Sequence, residues 1–220
     1  MYLPTHFSQT DRAALHALMQ AHPLATLVTP GPDGQPVADL LPLRLMPGEG
    51  GAPDELQGHV ARANPLWRHA DGQPVLLLFH GPQAYVTPSW YASKARHGKV
   101  VPTWNYAVVE ARATLHAVHD ATWLRGLVAR LTDHHEAPRA APWSVDDAPG
   151  EYIEQMLGAI VGLRLPLHSL IGKWKASQNR DAADRAGVAD GLAPAPEGTA
   201  PGWTMADLVR DTAGPAGSKP

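Results

Sequence analysis

Two stretches of this chain carry residue types that could hold an anion. The first runs His59-Val60-Ala61-Arg62-Ala63-Asn64-Pro65-Leu66-Trp67-Arg68. It reads as a strand end, a tight exit and the first turn of a short helix. Asn64 can cap that helix, and Pro65 suits its first position. A helix start offers free N–H groups, and Arg62 adds a rigid fork of donors beside it, which together suit a phosphate. The alternative is an ordinary strand–helix junction with a solvated arginine, and so short a motif taken alone favours that alternative. The second stretch is Gly172 to Arg180, with Lys173, Lys175 and Arg180 around Trp174, Ser177 and Gln178. Cations, hydroxyl and amide donors and an aromatic plate would suit an anionic aromatic ligand. It is not a Walker loop, because Trp174 stands where Ser or Thr should follow Gly-Lys. A solvated basic loop before a helix is the competing reading.

Other chemistry is poorly supported. The chain has no cysteine, which excludes disulfides, cysteine–zinc sites, iron–sulfur clusters and a thiol nucleophile. Its 12 histidines show no His-Glu-x-x-His spacing, and His134 and His135 suit a helix C-terminus by charge alone. No metal site is expected. There is no Gly-x-Ser-x-Gly elbow and no Gly-x-Gly-x-x-Gly after a strand. The net charge of −3 argues against a broad nucleic-acid-binding face.

The elements that must position these residues follow from periodicity. Ser8 is expected to begin a helix, with Asp11 near its first turn and Leu15, Leu18, Met19 and His22 on its inner stripe. Strands are expected over Leu24–Thr29, Gln35–Leu45 and Glu55–Ala61, with Pro36 and Pro42 marking an edge or a bulge. Val75–His80 and Ala84–Thr87 are read as a hairpin about Gly81-Pro82-Gln83. Thr103–His119 is the longest strand candidate. Its small apolar face (Ala107, Val109, Ala111, Ala113, Leu115 and Ala117) suits a tight interior, and its other face begins with Trp104 and Tyr106. That aromatic end is expected to be covered by a ligand or a second subunit, or else by a helix of this chain. Asp120 should cap one helix, a second should start near Pro149, Val161–Leu167 is the last strand, and Asn179 should cap a final helix. Strands joined by turns with helices at the ends imply a mostly β fold with α elements, a closed antiparallel barrel of about six strands. Residues 193–220, rich in Ala, Pro and Gly, are expected to be disordered, with a turn or two of helix over Trp203–Arg210.

Length and apolar content, 220 residues and 44%, allow a sizeable core. No signal peptide is read in Met1 to Arg12, and no apolar run is long enough to span a bilayer. A soluble cytoplasmic protein with no membrane partner is expected.

Five motifs together resemble one family: Met1-Tyr2-Leu3-Pro4-Thr5-His6-Phe7, Gly58 to Pro65, Tyr85-Val86-Thr87-Pro88-Ser89-Trp90-Tyr91, Val101 to Tyr106, and Gly172 to Asn179. In this order they resemble the PaiB family, the FMN-binding negative transcriptional regulators, over about residues 1–192. The resemblance implies an FMN-binding split barrel, flanked by helices, as a homodimer with FMN in the groove between subunits. By position it implies His59, Arg62 and Asn64 at the phosphate end and Thr103, Trp104, Asn105 and Tyr106 near the flavin groove. Lys173, Ser177 and Gln178 would fall in a C-terminal segment reaching across the dimer. Ala176 stands where a bulkier apolar residue is expected. The function implied is transcriptional repression, acting on DNA directly or through a DNA-binding partner. The alternative is an FMN-dependent oxidoreductase or flavin reductase using the same cleft.

Overall fold

A computed structural model describes residues 1–192 and 202–212. The chain folds into two compact units. One comprises Met1–His22, Phe79–Glu110 and Ile171–Pro220, and the other Pro23–Leu78 and Ala111–Leu170.

In the first unit, strand β1 (Ser8–Gln9) precedes helix α1 (Arg12–Ala21). The helix expected from Ser8 starts later because Asp11 caps it, its carboxylate accepting from Ala13 N–H at 3.1 Å. Ser8 and Gln9 instead pair with Lys173 and Gly172. Leu15, Leu18 and Met19 are buried, as the 3.6-residue stripe requires. Helix α6 (Ala182–Gly191) is capped by Asp181, not Asn179: the Asp181 carboxylate accepts from Asp184 N–H at 2.8 Å. Helix α7 (Met205–Asp211) buries Met205, Leu208 and Val209. It falls within the stretch read as a disordered tail, as the Trp203–Arg210 turns suggested. Residues 193–201 and 213–220 of that tail lie outside the described residues.

In the second unit, β2 (Leu24–Pro30) and β3 (Pro36–Pro42) form a hairpin in which Pro30 faces Pro36. The strand expected to run to Leu45 breaks after Pro42, and β4 (Arg44–Met46) follows. Proline cannot donate to a ladder, and Leu43 N–H turns away to the Pro23 carbonyl at 2.9 Å. Leu41, Leu43 and Leu45 are nevertheless all buried. Strand β5 (Glu55–Ala61) has the expected bounds and leads into helix α2 (Leu66–His69). Helix α4 (Ala121–Glu136) is capped by Asp120, and α5 (Gly150–Gly158) follows Pro149. Leu124, Val145, Ile153 and Leu157 form their shared core.

Three strands differ from expectation. β6 runs unbroken from Pro74 to Val86 where a hairpin was read. Gly81 is there for contact: a Cβ would lie 2.8 Å from Leu18 Cδ1 and 3.2 Å from the Ala107 carbonyl. β7 (Thr103–Thr114) carries the predicted small face and is followed by the short β8 (His116–Val118). β9 runs from Ile160 to Lys175, well past Leu167, so the segment read as a basic loop begins as strand. Gly172 lies against α1 and β1, where a Cβ would meet Leu15 Cδ2 at 2.2 Å.

Among the described residues nine strands hydrogen-bond in the order β3-β2-β6-β7-β9-β5-β4, with β1 and β8 also on β9. The pairings described are antiparallel. The path is open, which corrects the closed six-stranded barrel. The strand read over Gln35–Leu45 splits into β3 and β4, and these two become the ends of the path. No described helix is long and apolar enough to cross a membrane.

Candidate functional site

The ten residues singled out from sequence fall into two groups, one in each unit. In the second unit, His59 pairs with Gly162 across β5 and β9. The Arg62 guanidinium is engaged by backbone: Nε donates to the Gly158 carbonyl at 2.6 Å and Nη2 to the Ile160 carbonyl at 2.8 Å. Those carbonyls close α5 and open β9, so the arginine satisfies acceptors that a helix end leaves without partners. The Arg62 carbonyl accepts from Trp67 Nε1 at 3.1 Å. Pro65, not Asn64, stands at the N-cap of α2, and Asn64 lies one residue before it, its Oδ1 accepting from Leu66 N–H at 2.9 Å while Nδ2 donates to Asp39 at 2.9 Å. With both ends of its amide used, Asn64 holds the junction. His59 Nδ1 is buried without a hydrogen-bond partner among the described residues. Burial holds its pKa below the ordinary histidine value.

The seven others lie together in the first unit, on β7 and at the end of β9. Side chains two apart on a strand share a face, so Lys173 and Lys175 do. The Lys173 ammonium is buried, donates to the Tyr2 carbonyl at 3.0 Å, and lies 5.7 and 5.3 Å from the Tyr2 and Tyr106 ring centres. The half-buried Lys175 ammonium donates to the Thr103 hydroxyl and to the Trp104 carbonyl. Among the described residues neither lysine has a carboxylate partner. Burial lowers the Lys175 pKa, and the positive charges of Lys173 and Arg180 lower it further. The strand then ends in a tight turn. Ser177 has φ +64°, a left-handed conformation unusual for a residue with a side chain. Its hydroxyl accepts from buried Asn105 Nδ2 at 2.8 Å. Gln178 folds back, accepting from Ala176 N–H at 2.7 Å and donating to the Trp174 carbonyl. Ala176, where a bulkier apolar side chain was expected, is fully buried.

Beside the lysines is a half-exposed aromatic pair. Trp104 and Tyr85 are each 50% exposed, with ring centres 6.2 Å apart. Trp104 Nε1 donates to Gln83 Oε1 at 3.1 Å. A cavity of about 150 Å³ lies here, lined by His80, Gln83, Trp104 and Tyr106 among others. The expectation that a helix of this chain might cover Trp104 is not met among the described residues. Lys175 was read only as one of the cations of the Gly172–Arg180 stretch, and Tyr85 was not singled out beyond its motif. Reading Gly172–Lys175 as strand would have placed Lys175 beside Lys173, and reading β6 as continuous would have carried Tyr85 alongside β7.

Comparison with known proteins bears on this arrangement. Residues 1–169 match the family model described as "Putative FMN-binding domain". An uncharacterised protein from Aspergillus fumigatus is 36% identical over 192 residues, covering 72% of this chain and 73% of that protein. Protease synthase and sporulation protein PAI 2 from Bacillus subtilis is 31% identical over 195 residues, covering 87% and 89%. Among solved structures, the FAD and heme binding protein from Mycobacterium smegmatis superposes with a TM-score of 0.54 at 20% identity, covering 93% and 96%. At that identity the match speaks for the fold alone. The chain belongs to the PaiB family of FMN-binding domains, and its cofactor is FMN.

Proposed function

We propose that this chain is a homodimeric FMN-binding protein of the PaiB type, and that flavin binding governs repression of transcription through a DNA-binding partner. The observation that carries the cofactor site is the pair Lys173 and Lys175, whose hydrogen-bond partners are all neutral. Burying a cation without a counter-charge is costly, and an FMN phosphate supplies that counter-charge. The donor set fits the cofactor: two ammonium groups for the phosphate, and half-exposed indole and phenol rings, Trp104 and Tyr85, for the flavin ring. Thr103 orients Lys175, and the Asn105–Ser177 bond fixes the turn that follows it. When bound, FMN supplies electron transfer that amino acids lack. The Trp104–Tyr85 patch is the surface we assign to the second copy.

His59, Arg62 and Asn64 are assigned a supporting role. Arg62 directs Nε and Nη2 to backbone carbonyls, and Asn64 directs Nδ2 to Asp39. Repression through a partner rather than by direct contact accords with the net charge of −3 and with the absence of a recognisable DNA-reading helix pair in the sequence.

The experiment is a fluorescence titration of FMN into wild type and the Lys173→Met/Lys175→Met double variant, with a promoter gel shift at low salt. Quenching by wild type, loss of it in the double variant and no shift by the protein alone are expected. A direct shift would move the reading to direct repression. Steady consumption of NADH or NADPH by the FMN-loaded protein would replace regulation with flavin-dependent oxidoreduction.

A further inference from the structure

A second cavity, of about 530 Å³, lies in the unit comprising Pro23–Leu78 and Ala111–Leu170. None of its lining residues belongs to the lysine group, and its size is that of a small-molecule pocket. Its walls are apolar, formed by Val28, Val75, Leu76 and Ala113. Pro30 and Pro36, which face each other at the end of the β2–β3 hairpin, and Pro74, which starts β6, also line it. Proline fixes φ, so these strand ends are stiff and little ordering is lost when a ligand enters.

The polar lining is sparse and of one kind. Arg112 on β7 and His168 on β9 are exposed and line the cavity. His168 Nε2 is 2.8 Å from the Thr114 hydroxyl. Thr29 lines it too, is 2% exposed, and its hydroxyl has no hydrogen-bond partner among the described residues. A buried hydroxyl without a partner is rare in folded proteins and calls for an explanation. Among the described residues no acidic side chain lines the cavity. A guanidinium fork matches a carboxylate in two-point geometry, and the walls offer only hydrocarbon contact.

We infer that this cavity is a binding site for a small organic monocarboxylate with an apolar body, distinct from the lysine site that takes FMN. The carboxylate meets Arg112 and His168, and the body fills the space between Val28, Val75 and Leu76. Such a site gives the protein a metabolite input besides its flavin.

The test is calorimetric titration of the full chain, with and without added FMN, using decanoate as the probe and decanol and inorganic phosphate as controls. One saturable site per chain is expected for decanoate, with both controls at least about tenfold weaker, the order of one charge-assisted hydrogen bond. Arg112→Gln should weaken decanoate by a similar factor. Thr29→Val should weaken decanoate without lowering the melting temperature of the free protein, because the hydroxyl makes no bond there. No saturable decanoate binding, equal binding of decanol or phosphate, unchanged affinity in Arg112→Gln, or displacement of decanoate by FMN would each overturn the assignment.

Discussion

Lys173 and Lys175 stand two residues apart on β9, and both ammonium groups end on carbonyls, a hydroxyl and aromatic faces rather than on a carboxylate. Burial, and after it the positive charges of Lys173 and Arg180, raises the cost of keeping Lys175 charged. An anion from outside the chain would supply the counter-charge that the described residues do not. That is the physical basis for placing the FMN phosphate here and not at Arg62.

Lys175→Met removes one of the two cations while keeping the length of the side chain. FMN affinity should fall about tenfold or more, since a hydrogen bond to a charged group contributes roughly 1.5–3 kcal/mol. The flavin-free protein should melt no lower, because the lost charge had no counter-ion. Fluorescence titration and a thermal melt of the same sample read both effects.

The lowered Lys175 pKa also sets a pH dependence. Between its folded value and the ordinary lysine value, the unfolded chain binds more protons than the folded one. Stability of the flavin-free protein should therefore rise with pH across that alkaline window. FMN affinity should fall across the same window as the ammonium loses its proton. Lys175→Met should flatten both slopes.

Arg62→Ala leaves the Gly158 and Ile160 carbonyls without their side-chain donors. A loss of about 1–3 kcal/mol in unfolding free energy is expected, read by urea denaturation. Arg62→Lys should restore little, because one ammonium cannot reproduce a planar fork serving two carbonyls. An FMN affinity that drops more than tenfold with stability intact would assign Arg62 to the phosphate instead.

His59 gives a prediction at acid pH. Burial holds its folded pKa below the ordinary value of 6.5, so the unfolded chain takes up the proton first. Stability should be full above 6.5 and decline as pH falls from there toward the folded value. His22 is shifted the same way for the same reason, so the test is a comparison. Denaturation midpoints of wild type and His59→Gln across acid pH should show a shallower decline in the variant.

Gly81→Ala probes why β6 is unbroken. The new methyl would press on Leu18 Cδ1 and the Ala107 carbonyl. Overpacking of this kind costs about 1–3 kcal/mol. Gly81 is not among the positive-φ glycines, so close contact and not a left-handed backbone accounts for it. A melting temperature equal to wild type would show that the neighbours yield.

Those two readings of Gly81 show where sequence was and was not enough. Stripes such as Leu15, Leu18 and Met19, the small face of β7, and the cap Asp120 depend on nearest neighbours along the chain and were legible, whereas the start of α1 was read at Ser8 and its cap is Asp11. The Gly81-Pro82 dipeptide has the composition of a turn, yet long-range contact with α1 and β7 decides its role. The same holds at Gly172, where α1 and β1 leave no space for a side chain. The basic run after it looked like a loop because its lysines are charged, although strand pairing buries Lys173. The clustering of Thr103–Tyr106 with Lys173–Gln178 inside one chain was not read: the resemblance put the second segment across the dimer, and no local pattern joins segments some 70 residues apart, as the 72-residue separation of Asn105 and Ser177 shows. Use of the Arg62 fork by carbonyls nearly 100 positions later, 96 and 98 residues on, has no sequence signature at all.

The most direct measurement is FMN stoichiometry by flavin absorbance and mass spectrometry after heat release, on the purified wild-type chain and on Lys173→Met/Lys175→Met, both saturated with FMN and desalted. One FMN retained per wild-type chain and little in the double variant is the expected result. Equal retention by both proteins, or none by either, would contradict the lysine pair as the phosphate site.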